Sequence, residues 1–290
     1  MCIRDSLIVA CLSNVVLDLV FVLVFKMGIA GVAIASILAQ AISAVMVVMS
    51  LSAESMEYRF RFRQMRFEGD ILSRTIRIGL PAGFQSIMYS LSNMLIQASV
   101  NRFGTDTVAS WVVLGKVDGI NWMILGALGI ASMTFVGQNY GAGRLDRIQK
   151  SLKLSLLIGV CISIVFGGAL LLFGWPLFGL FTSDDTVLAM SMQLLWYFAP
   201  FYWLFVPIEI ISGALRGMGD TLIPTIITAT GICVFRVAWI YTVVPLHNSM
   251  FTVSLSYPIS WVLTAIAFAI YYMIARKKLI ANAPKPRTAE

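Results

Sequence analysis

Asn14 and Asp18 stand four residues apart in the stretch SNVVLDLVF, residues 13–21, inside an otherwise apolar run. On a helix that spacing puts an amide and a carboxylate on one face, one turn apart. The nearest basic residue, Lys26, lies two turns further on. An acid held in hydrocarbon without a cation can exchange a proton or hold a small cation, and the amide can hydrogen-bond either state. Ionisable residues within apolar runs are costly and mark ion or substrate paths. Four more qualify: Lys116, Asp118, Glu209 and Arg236. Lys116, Asp118 and Arg236 have a second reading, as structural pairs that neutralise one another.

Gln85, Tyr89, Asn93 and Gln97 recur every four residues and form a polar stripe on one helix face. In lipid such a stripe must face protein or water. It either bonds neighbouring helices or walls a substrate cavity with neutral donors and acceptors. The segment with Trp196, Tyr197, Phe201, Tyr202, Trp203 and Phe205 is mostly packing, with one or two rings left to line an aromatic pocket for an organic cation. Pro200 and Pro207 should bend that helix, leaving Glu209 near freed carbonyls.

Catalytic constellations are missing from the sequence. There is no HExxH, no GxSxG with a partner histidine and no Walker-type loop, and His247 is the sole histidine. Cys2, Cys11, Cys161 and Cys233 are scattered, without CxxC spacing. The expectation is a non-enzyme with no metal and no cofactor beyond a coupling H⁺ or Na⁺. A membrane-embedded transferase would need a clustered polar set near one interface, and none is visible.

The elements that must position these residues are helices in a membrane. Only 12% of the 290 residues are charged and 59% are hydrophobic, against roughly 25% charged in soluble domains. The net charge of +7 falls between apolar runs, which is the pattern of membrane topology and not of a nucleic-acid patch. Eight segments are long enough to cross about 30 Å of hydrocarbon. They run over 7–25, 29–51, 76–101, 107–137, 151–174, 187–213, 222–245 and 250–275. The composition predicts an all-α membrane protein of eight transmembrane helices. Placing 17 of the 21 basic residues on one side makes that side cytoplasmic, with both termini there.

The polar stretch 52–75 reads as a cytoplasmic linker between a two-helix piece, 7–51, and a six-helix piece, 76–275. Its RFRFR run suits anionic lipid better than RNA. Residues 276–290 form a basic cytoplasmic tail. The opening MCIRDS lacks the basic n-region of a signal peptide. Residues 1–6 are expected to be non-native sequence joined to a truncated chain.

Several spaced motifs resemble the multidrug and toxic compound extrusion (MATE) family of secondary transporters. They are GLPAGFQS at 79–86, FVGQNYGAGR at 135–144, SGALRGMGDTLIP at 212–224, and SNVVLD…GIAGVAIAS between 13 and 36. The resemblance implies two six-helix bundles, of which this chain holds the last two helices of the first and all of the second. It implies a coupling-cation site formed by Asn14, Asp18 and the hydroxyl of Ser36, together with a helix-one aspartate that lies outside this chain. A second-bundle site of another branch is not carried over, because its glutamate falls at Tyr89 and its aspartate at about Phe205. Glu209 is the candidate substitute.

The function the resemblance implies is a cation-coupled antiporter that exports amphipathic organic or drug-like cations. Its partners would be the lipid bilayer and a small organic substrate, with no nucleic acid. It would be a monomer in the cell (inner or plasma) membrane. The alternative is a flippase of lipid-linked oligosaccharide or peptidoglycan precursors, which shares the architecture and would need a strongly basic cavity.

Overall fold

The computed structural model describes residues 3–52, 66 and 68–281. Among them no residue lies in a strand. Each of the eight apolar segments is helical, and six of the resulting helices are long and apolar enough to cross a membrane. The other two fall short for physical reasons. Ile8–Val24 is apolar but short, and Gly69–Val100 carries Asp70, Arg77 and the polar stripe. Most of the 52–75 linker (residues 53–65 and 67) and residues 282–290 of the basic tail lie outside the described residues.

The chain divides into two compact units, Met1–Leu72 and Ser73–Glu290. In the first, α1 (Ile3–Leu19) runs into a π-helical turn, Val20–Val24, and reverses into α2 (Gly28–Ser52). The reversal uses Lys26 at φ 53° and Gly28 at φ 55°, a left-handed conformation that glycine adopts freely and lysine does not. Gly31, Ala35 and Ala39 recur every four residues on α2 and are its buried face. A Cβ at Gly31 would sit 3.0 Å from the Phe21 Cβ, so the small residue lets α2 approach the π turn.

The second unit begins on α3 (Gly69–Val100), which a short 3₁₀ turn and Gly104 join to α4 (Thr105–Gly141). Next come α5 (Leu145–Phe178), α6 (Asp185–Phe198), α7 (Val206–Gly217), α8 (Leu222–Thr228), α9 (Phe235–Thr242) and α10 (Met250–Ala281). The bend expected from Pro200 and Pro207 is a full change of helix type. A 3₁₀ stretch, Ala199–Leu204, separates α6 from α7, with a proline in the first turn of each new segment. Proline lacks the N–H that would continue the ladder and fits the first turn of the next segment. A second π-helical segment, Ala229–Val234, joins α8 to α9.

The GALRG run at 213–217 is a small-xxx-small motif, and α7 crosses α4 there at backbone contact. A Cβ added at Gly213 would strike the Gly129 carbonyl, and one at Gly217 would strike the Met133 carbonyl. A Cβ at Gly137 would lie 3.2 Å from the Gly217 carbonyl oxygen. The two motifs FVGQNYGAGR and SGALRGMGDT meet where Gly137 and Gly217 let the two backbones touch. Trp261, Tyr202, Phe178 and Phe268 are the largest fully buried side chains of the unit. Large apolar residues on α5, such as Val165 and Leu172, stay exposed, which suits a surface in contact with lipid.

Candidate functional site

Three helices of the second unit build an aromatic box around a carboxylate. On α4, Trp111, Leu114, Gly115, Asp118 and Trp122 follow i, i+3, i+4, i+7 and i+11 spacing, so they share a face. On α10, Tyr257 and Trp261 are one turn apart, and Phe198 and Phe205 enter from either side of the proline break. These residues, with Tyr89, Asn93 and Arg236, line a cavity of about 320 Å³. Trp122 is its hub. Its ring meets Phe205 edge-on at 4.8 Å and Trp261 at 5.7 Å, within the range of favourable aromatic pairs. Tyr257 packs edge-on against Phe198 at 5.1 Å and Trp111 at 5.9 Å.

Two charged groups enter the box. The indole Nε1 of Trp122 donates to Asp118 Oδ2 at 2.7 Å. The other carboxylate oxygen, Oδ1, is buried and makes no close hydrogen bond, and the Tyr202 hydroxyl, itself unpartnered, lies beside the carboxylate. Arg236 is 4% exposed and enters from α9. Its Nε donates to Ser260 Oγ at 3.0 Å, and its guanidinium carbon sits 3.9 Å from the Tyr257 ring centroid. Among the described residues, Asp118 and Arg236 form no ion pair. The structural pairing weighed for Lys116, Asp118 and Arg236 is absent, since Lys116 is exposed and its Nζ lies 6.0 Å from the Phe181 ring centroid.

The polar stripe of α3 splits. Tyr89 and Asn93 reach the cavity. Gln85 instead accepts from Arg216 Nη2 at 2.7 Å, and Gln97 donates to Asn101 at 2.9 Å. Tyr89 and Asn93 therefore face a cavity, Gln85 bonds a neighbouring helix, and Gln97 bonds the next turn of its own. Glu209 stands in the first turn of α7 against α4, where a Cβ at Gly129 would lie 2.7 Å from its Oε2. It is not among the residues that line the box.

Of the six aromatic residues singled out between 196 and 205, only Phe205 lines the cavity. Trp196, Phe201 and Trp203 are exposed and Tyr202 is core. The sequence reading missed Trp111, Trp122, Tyr257 and Trp261. Their signal is the i, i+7, i+11 spacing of Trp111, Asp118 and Trp122, which is sparser than the aromatic run at 196–205.

In the first unit, Asp18 Oδ1 and Asn14 Nδ2 are both buried and unpartnered, one turn apart on α1. The π turn begins two residues after Asp18. Among the described residues Asp18 makes no ion pair. Ser36 is half-buried on α2, beside the buried Ala35.

Long apolar helices broken at polar positions, with charges kept inside, define a multi-pass membrane protein. Residues 81–242 match the MatE family model, and the chain belongs to that family. It is 26% identical over 290 residues to the probable multidrug resistance protein YoeA of Bacillus subtilis, covering 94% of this chain and 61% of that protein. It is 23% identical to a probable multidrug resistance protein NorM of Thermotoga maritima, over 73% of this chain and 45% of that protein. A solved transporter of the MOP superfamily from Pyrococcus furiosus superposes with a TM-score of 0.86 at 18% identity, covering 94% of this chain and 62% of that one. This chain therefore spans less than two thirds of the length of these relatives.

Proposed function

We propose that the chain is part of a secondary active transporter, an H⁺- or Na⁺-coupled antiporter that exports amphipathic organic compounds carrying a cationic group. Its eight helices cross the inner membrane with both ends cytoplasmic. Helices 7–51 belong to a first bundle and 76–275 form the second. The protein works as a monomer. The observation that carries the reading is the buried, unpartnered Oδ1 of Asp18 beside the unpartnered amide of Asn14, with no ion pair at Asp18 among the described residues.

Asp18 binds the ion entering from outside, and the loss of its free charge lets α1 repack at the adjoining π turn. Such turns are local insertions in a helix and recur at functional sites. Ser36 adds a hydroxyl ligand. The membrane potential assists inward ion movement at about 2.3 kcal/mol per charge per 100 mV. The aromatic cavity of the second unit, with Tyr89, Asn93 and Asp118, holds the substrate. One acidic and one basic lining side chain favour this reading over a flippase, whose pyrophosphate cargo needs a strongly basic cavity. The names of the multidrug relatives support the same direction.

The test is Asp18→Asn in cells expressing the complete reading frame. We expect the variant to reach the membrane at wild-type level and to lose ion-driven efflux. Full drug resistance in that variant would remove Asp18 from the mechanism.

A further inference from the structure

A groove runs between α3 and α9, apart from the aromatic cavity. Two cavities of about 290 and 280 Å³ lie along it and share Leu95. Met88, Leu91, Leu95, Ala98 and Arg102 form one wall at helical spacing. The first cavity is apolar: Val234 and Val237 stand across from these leucines, and the hydroxyl of Ser92 is buried. The second lies at the helix ends and is polar, with Ser99, Arg102, Tyr241 and Asn248 in its lining. Neither is lined by an acid.

The polar end has unused donors. Among the described residues Arg102 forms no ion pair, and the hydroxyl of Ser99, a residue only 7% exposed, has no hydrogen-bond partner. An open guanidinium offers two parallel N–H groups to a phosphate, and Ser99 and Asn248 add neutral donors. From Met88 to Arg102 the wall is about 21 Å long at 1.5 Å per residue. One bilayer leaflet with its headgroups is about 20–22 Å deep. The groove is therefore apolar over the depth of an acyl chain and cationic at headgroup depth. An organic cation would meet Arg102 and no carboxylate there.

We infer that this groove is a binding site for one phospholipid, an acyl chain lying between α3 and α9 and the phosphate on Arg102. The inference needs a membrane-spanning chain and does not rest on the export reading.

The test is photolabelling of the full 290-residue chain in phosphatidylcholine nanodiscs. Phosphatidylglycerol and diacylglycerol, each with the same diazirine-bearing acyl chain, are added as traces, and adducts are mapped by peptide mass spectrometry. Phosphatidylglycerol should label Leu91, Leu95, Val234 and Val237 at least about tenfold more than diacylglycerol, the worth of one charge-assisted contact. Arg102→Gln should bring the two lipids within about twofold. Ala238→Trp, which fills the apolar cavity, should remove these adducts and leave labelling of the exposed Val165 and Leu172 of α5 unchanged.

Equal labelling of the groove by the two lipids overturns the inference. So does an unchanged ratio in Arg102→Gln, or groove adducts no denser than those on α5. If a variant fails to fold, the wild-type pair of lipids decides alone. Failure here leaves Asp18-dependent efflux standing, and loss of efflux coupling leaves the lipid site standing.

Discussion

The two units hold their buried acids in opposite ways. Asp18 has an amide one turn away and no ion pair among the described residues, on a helix packed against small residues of α2. Asp118 has an indole clamped on one oxygen and a guanidinium in the same cavity, walled by large rings. Each arrangement adjoins a π-helical segment, Val20–Val24 after Asp18 and Ala229–Val234 just before Arg236. On the proposed function, the carboxylate–amide pair of the first unit takes a proton or a bare ion. The second supplies volume, aromatic faces and both signs of charge, which suits an organic molecule. An acid's task is set by what surrounds its free oxygen.

The widest gap between the units should show in packing. Gly217→Leu puts a branched side chain into the α4–α7 crossing, against the Met133 carbonyl. We expect loss of monodisperse protein in size-exclusion chromatography, because backbone contact leaves no room to repack. Gly31→Ala, at 3.0 Å from the Phe21 Cβ, should be tolerated with a small drop in melting temperature. Equal behaviour of the two would show that the second unit is no more tightly built than the first.

Trp122→Ala removes the hub of the box and the donor to Asp118. Truncating a large core aromatic costs about 3–5 kcal/mol. The melting temperature of the purified chain should fall clearly, and substrate binding in the cavity should disappear. A variant that binds normally would place the substrate elsewhere.

A sharper contrast comes from Asp18→Asn against Asp118→Asn. The first should abolish the dependence of transport on the ion gradient. The second should leave that dependence in place and raise the substrate concentration needed for half-maximal efflux by about tenfold, one charge-assisted contact being worth that much. Exchange of the two phenotypes would reverse the assignment of the units. A further contrast is Gln85→Ala, which loses the Arg216 contact at 2.7 Å and costs about 1 kcal/mol. It should lower thermal stability without changing substrate affinity, since Gln85 does not reach the cavity.

Much of this is legible in the sequence. The run lengths and the positions of Gly, Pro and charge locate every apolar helix, because hydrocarbon demands about 20 residues and satisfies no backbone group. The motif glycines of 137, 213 and 217 announce themselves in sequence. Their purpose does not, since it takes the α4–α7 crossing to show two helices touching through missing side chains. For the site, Asn14 and Asp18 are a local pattern on one helix and could be read directly. The cavity is assembled from α3, α4, α6, α9, α10 and the 3₁₀ break, so no window of the sequence contains it.

The sequence by itself determined the class of the molecule, the helices and the presence of buried charges, because burial in lipid is a local rule about runs of side chains. The tertiary structure decided which charges stay unpaired, splitting Gln85 and Gln97 away from Tyr89 and Asn93 and keeping Arg236 on Tyr257 instead of on Asp118. Those outcomes depend on helix rotation and on the π and 3₁₀ segments, which shift side-chain direction by fractions of a turn. Spacing along a chain cannot encode that shift, because it is fixed by contacts between residues far apart in sequence.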